Sequence, residues 1–97
     1  MTFTQFKESL QQNTPPTLDV LLLSMWYDGK DDWDKAHDLI NDLDGKDAAL
    51  VHAYLHRKEG DAANAGYWYR RARQPVASDS LEVEWAAIAT AMLAAAP

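Results

Sequence analysis

Turn-forming residues interrupt this chain so often that only short elements fit between them, and this punctuation constrains the fold more than any other feature. Thr14-Pro15-Pro16, the stretch Asp28–Asp31 around Gly29, the stretch Asp42–Lys46 around Gly45, Gly60, and the stretch Gln74–Asp79 with Pro75 divide the sequence into six segments. Within each segment the apolar residues recur at helical spacing instead of alternating. Phe3, Phe6 and Leu10 keep that rhythm, followed by Leu18, Leu21, Leu22, Met25 and Trp26, and then by Trp33, Ala36, His37 and Ile40. Ala48, Val51, His52 and Leu55 continue it, then Ala62, Ala65, Tyr69 and Ala72, and last Leu81, Trp85, Ile88, Ala89 and Met92. A helical period places each set on one face. The sequence therefore predicts six amphipathic helices and no strand.

The expected helix ends carry capping chemistry. Thr2 with Gln5 and Asp79 with Glu82 have the spacing of a capping box, in which the first side chain accepts from an orphan backbone N–H and the second reaches back. Thr14 and Pro15 suit an N-cap followed by the first helical residue, where proline's missing N–H is no loss. At Gly60-Asp61 a glycine able to take the left-handed conformation meets an aspartate able to cap the next helix. That junction predicts an antiparallel hairpin with almost no linker.

Shifted by 29 residues, the chain meets its own best match: Asp32 falls on Asp61, Ala36 on Ala65, Trp26 on Leu55 and Leu22 on Val51. Each unit reads as helix, tight Gly/Asp turn, helix. The expected organisation is one all-α domain over residues 1–97, with an N-terminal helix at 1–13, hairpins at 17–43 and 46–73, and a C-terminal helix at 79–96. Hairpins this short cannot bury their apolar faces alone, so they must stack, with the outer helices as caps.

The stretch Gly60–Ala72, GDAANAGYWYRRA, resembles the second half of a tetratricopeptide repeat and, more closely, that of the related Sel1-like repeat. In those repeats a Gly-Asp turn precedes an alanine, a Trp-Tyr pair, two basic residues and a further alanine. The resemblance puts Gly60 and Asp61 at the turn, Ala65 and Ala72 at close helix contacts, Trp68 and Tyr69 at the packing aromatics, and Arg70 and Arg71 on the basic pair. The upstream copy, DWDKAHDLI, keeps Asp32 and Ala36 and lacks the Trp-Tyr pair. What the resemblance implies is a two-hairpin stack that scaffolds protein contacts, as in small bacterial proteins of this type, with nothing catalytic attached.

Composition narrows the classes of function. A chain of 97 residues is one domain's length and buries only about two thirds of its unfolded surface, which leaves little room for a deep active site. The lack of cysteine removes disulfides and thiol chemistry and fits a reducing compartment. The opening residues carry Lys7 and no apolar stretch, and the run Val20–Met25 is far too short to span a membrane, so a cytoplasmic protein without a secretory signal is expected. A net charge of -6 and a pI near 4.8 argue against nucleic acid or an anionic membrane as partner, because both demand clustered Lys and Arg. No motif implies a cofactor.

Charge is unevenly placed along the chain. From Asp19 to Asp47 nine acidic residues stand against three basic ones, whereas from Ala48 to Pro75 five basic residues stand against two acidic. An acidic half of this kind suits an immunity-type protein that neutralises a basic partner, or neutralisation between adjacent hairpins. The stretch DGKDDWD, Asp28–Asp34, lacks the ligand order and terminal glutamate of an EF-hand loop.

Three constellations are candidates for chemistry. His52 and His56 lie four apart on one expected helix, the spacing that brings two imidazoles to a single metal, and His37 on the preceding helix offers a third ligand. The sequence between them, HAYLH, lacks the glutamate of the zincin motif. The competing expectation makes His52 a hydrogen-bonded core residue and leaves His56 exposed beside Arg57 and Lys58. Tyr67, Trp68, Arg70, Arg71 and Arg57 form an aromatic and basic cluster. Consecutive aromatics cannot all face a core, so this is the expected partner-binding surface. Trp85, Ile88, Met92 and Leu93 exceed what one thin face needs, which suggests a homodimer closed through the last helix. Taken together, the sequence favours a protein interaction module or assembly subunit over an enzyme, with a metal-binding protein or metal-dependent enzyme as the alternative built on the histidines.

Overall fold

The segments fold as α1 (Phe3–Ser9), α2 (Val20–Gly29), α3 (Trp33–Ile40), α4 (Lys46–Glu59), α5 (Ala62–Ala72) and α6 (Leu81–Ala95). The computed structural model describes residues 1–95, so Ala96, expected in the last helix, lies outside it. Among the described residues there is no strand, and no helix is long and apolar enough to cross a membrane.

Local hydrogen bonds decide where the helices begin and end. The Thr2 hydroxyl accepts from the Gln5 N–H at 3.1 Å and the Gln5 side chain accepts from the Thr2 N–H at 2.9 Å, which closes the capping box on α1. This helix stops at Ser9, short of the expected residue 13. There the Ser9 hydroxyl donates to the Phe6 carbonyl and accepts from the Trp26 indole, and the Lys30 ammonium takes the carbonyls of Leu10 and Gln12.

Two expected starts move. The N-cap of α2 is Asp19, which accepts from the Leu22 N–H at 3.0 Å, and not Thr14, because Pro15, the helical residue expected after it, itself precedes a proline and is pushed towards extended backbone. Entry to α6 is made by Ser80, whose hydroxyl accepts from the Val83 N–H at 3.1 Å, and not by a box of Asp79 with Glu82. The Asp79 carbonyl instead accepts from the Arg57 guanidinium.

The turns within the two hairpins repeat each other bond for bond. The Asp32 N–H donates to the Tyr27 carbonyl at 2.9 Å, and 29 residues later the Asp61 N–H donates to the His56 carbonyl at 2.9 Å. Each aspartate then caps the following helix, through Lys35 N–H and Asn64 N–H. Gly60 takes a φ of 93°, and its counterpart Asp31 takes 63°. The left-handed residue of the first turn is thus Asp31, while Gly29 lies inside α2, where a Cβ would meet Leu10 and Trp85 at 3.0 Å.

Packing follows from these joints. Helix α2 lies against α3 and α4 against α5, with α6 crossing α4, α2 and α1. Phe6, Leu22, Met25, Trp26, Ile40, Val51, Leu55, Trp85 and Ile88 are central to the main core, where each large side chain removed from water contributes about 1.5–3 kcal/mol. Ala53 and Ala65 allow the close approach of α4 and α5 around Tyr69. Trp85, Ile88 and Met92 are buried in the core and Leu93 packs partly against it, so the apolar surplus that suggested a dimer is taken up within the chain.

Two buried carboxylates tie the layers together. Asp28 accepts from the Tyr54 hydroxyl at 2.8 Å and pairs with Lys58 at 2.9 Å, joining the acidic hairpin to the basic one. Glu84 accepts from the Tyr69 hydroxyl at 2.6 Å and pairs with Arg57 at 2.8 Å, joining α6 to the second hairpin. Burial, and then the adjacent carboxylate, raises the pKa of both tyrosines, and the bond to Glu84 raises that of Arg57.

Candidate metal centre

The face of α4 that carries His52 and His56 turns towards His37 on α3. The three imidazoles offer ligand nitrogens that all lie within 4.8 Å of one another. Ring centroids are 5.4 Å apart for His37 and His52, 5.2 Å for His37 and His56, and 6.0 Å for His52 and His56. Two indoles wall the cluster. Trp33 stacks on His37 with centroids 4.9 Å apart, and its Nε1–H donates to the Leu55 carbonyl at 2.7 Å, which ties the start of α3 to α4. From α5, Trp68 stacks on His52 at 4.0 Å with the planes 8° apart.

The hydrogen bonds set which nitrogen each ring can offer. His52 is 1% exposed, and its Nε2 lies 3.0 Å from the Ile40 carbonyl. A carbonyl only accepts, so the proton sits on Nε2 and the lone pair on Nδ1. That Nδ1 is the one buried side-chain nitrogen or oxygen without a partner among the described residues. An unsatisfied buried polar atom costs about 1–3 kcal/mol, so native folds rarely keep one. Burial, reinforced by the neighbouring His37, pushes the His52 pKa from 6.5 down to about 4, which keeps the ring in the neutral form that metals require.

His56 is buried at 7% exposure, contrary to its expected place beside Arg57 on the surface. Helix α4 is enclosed by its neighbours along its centre, with every residue from Val51 to His56 buried, so its polar residues there have no open face to occupy. Its Nδ1 lies 2.6 Å from Glu59 Oε2. A carboxylate can only accept, so Nδ1 carries the proton and Nε2 is the nitrogen left for a ligand. His37 is half-buried and is the most accessible of the three.

The expected partner-binding residues divide. Tyr67 is 44% exposed, accepts from Arg71 at 3.1 Å, and stands edge-on to Trp68, over whose ring the Arg71 guanidinium lies at 5.1 Å. These three are continuous with the histidine cluster through the Trp68–His52 stack. Arg57 is turned towards Glu84 and Asp79, and Arg70 is exposed. Asp28 and Asp32 of the acidic stretch are engaged by Tyr54, Lys58 and the α3 cap.

Sequence reasoning missed Trp33, Glu59 and the Ile40 carbonyl. One signal was present: at the 29-residue offset His37, His52 and His56 match Gly66, Leu23 and Tyr27, so the histidines depart from the repeat that the packing residues keep. No family model matches the chain, and searches of curated proteins and of solved structures return no significant match. The class that the geometry itself defines is an all-α protein with three imidazoles converging between two tryptophans.

Proposed function

We propose that this protein binds a divalent transition metal through His37, His52 and His56. The unpartnered, buried Nδ1 of His52, in a cluster of three imidazoles whose ligand nitrogens come within 4.8 Å of one another, is the observation that carries the reading. Three neutral nitrogen donors favour zinc, nickel, cobalt or copper over calcium and magnesium, which take oxygen ligands. In a tetrahedral site with bonds near 2.0–2.1 Å the ligand nitrogens stand about 3.3 Å apart, so the imidazoles need draw together by at most about 1.5 Å. With three protein ligands the fourth position is left to water or an exogenous ligand, and the metal there supplies Lewis acidity.

Thermal unfolding of chelator-treated protein with added zinc, nickel or cobalt tests the proposal. At free metal a hundredfold above Kd, binding adds about 2.7 kcal/mol, which raises Tm by roughly 10 °C or more in a chain of this size. His52→Gln and His37→Gln should each shrink the rise. An unchanged Tm in all three metals would remove the assignment.

A second reading rests on exposed Tyr67 with Arg71 beneath it: a tetratricopeptide-like or Sel1-like scaffold presenting this face to a protein partner. Pull-down with the wild type and with the Tyr67→Ala, Arg71→Ala double variant tests it, and identical partner lists would dismiss the surface.

A further inference from the structure

Helix α4 ends on a residue that its own electrostatics disfavour. Glu59 is the last residue of α4, where the carbonyl ends of the helix repel a carboxylate, while Arg57 and Lys58 of the same turn carry the favoured sign. The matching position of the first hairpin, 29 residues earlier, is Lys30, a cation where the dipole wants one. Glu59 is 39% exposed, so no packing demand explains it. What it does have is one short bond, 2.6 Å, to Nδ1 of His56.

Building on the metal reading, we propose that Glu59 is a positioning residue of that centre, acting on the metal through His56. Its carboxylate fixes the proton on Nδ1, holds the ring in plane and leaves Nε2 to bind. A negative partner on the far nitrogen also makes the imidazole a stronger donor, as in carboxylate–histidine–metal chains. The Ile40 carbonyl does the corresponding work at His52, on the opposite ring nitrogen. Both α4 ligands thus have the non-ligating nitrogen occupied, and they offer different atoms, Nδ1 from one and Nε2 from the other. Asp61 also lies within ligand distance of His56 and Glu59, but it is committed to capping α5 through the Asn64 N–H. Glu59 has no such local duty.

Calorimetric titration of Zn²⁺ into the full chain, with the Co²⁺ visible spectrum as a second readout, tests this on the wild type, Glu59→Gln and Glu59→Ala. Alanine removes both the acceptor and the charge and should weaken zinc binding 10- to 100-fold. Glutamine keeps an acceptor and loses the charge, so it should fall between alanine and wild type. The Co²⁺ bands should shift in both variants, while Glu59→Gln, which still offers His56 an acceptor, keeps the wild-type Tm in the metal-free protein. If the wild type binds and Glu59→Ala binds equally well, the positioning role is overturned and the metal site stands. Weaker binding in Glu59→Gln together with a matching drop in its metal-free Tm would make Glu59 a stability residue and overturn the role as well. Absence of binding in the wild type would remove the metal reading and this inference with it.

Discussion

Acidification of the metal-free protein isolates the buried imidazole of His52. Its pKa is lowered from 6.5 to about 4 by burial, then by His37. Between those two values the unfolded chain takes up a proton that the folded chain refuses, so stability falls as pH falls and is unaffected by this group above about pH 7. One pKa unit corresponds to about 1.4 kcal/mol, which gives a loss of roughly 3 kcal/mol by pH 4 and about 2 kcal/mol already by pH 5. Other groups titrate in the same range, so the measurement is a difference. Urea unfolding of wild type and His52→Gln, in chelator at pH 7.5 and pH 5, should show the stability gap between them shift by about 2 kcal/mol against the wild type as pH falls. Gaps that agree at the two pH values within about 0.5 kcal/mol, the usual scatter of such differences, would refute a neutral buried His52.

Two further expectations follow from the structure. Asp28→Ala strips the buried partner from both Lys58 and Tyr54, and unfolding measurements should show a loss of about 2–3 kcal/mol, moderated because Lys58 is partly exposed. Gly60→Ala places a side chain at a φ of 93° with open space around it, so the cost is backbone strain alone, about 1–2 kcal/mol, read from the shift in Tm with helix content unchanged.

Much of the fold is legible in the sequence. The periodicity marked all six helices, Thr2 with Gln5 and Gly60 with Asp61 fixed real helix ends, and the 29-residue offset predicted a turn whose hydrogen bonds recur at Asp32 and Asp61. Failures occurred where several local choices were of nearly equal energy. Ser80 can cap as well as Asp79, and Asp31 accepts the left-handed conformation that Gly29 would have taken more cheaply. Packing made those choices, through the Lys30 contacts with the end of α1 and the Leu10 and Trp85 side chains crowding Gly29.

The candidate site divides along the same line. A spacing of four residues puts His52 and His56 on one helical face, because that is a property of the helix itself. Whether His37 meets them, whether Trp33 and Trp68 close over the rings, and which nitrogen stays without a partner depend on how α3 and α5 lie against α4. Residues such as Ile40 and His52, or Trp33 and Leu55, are far apart in sequence, and no local pattern encodes the distance between them. The sequence by itself determined the helices and the pair on α4. Only tertiary packing decided that three imidazoles converge and that one of them is buried with a lone pair unmatched, because burial and hydrogen-bond satisfaction are properties of neighbours that the chain brings together only when it folds.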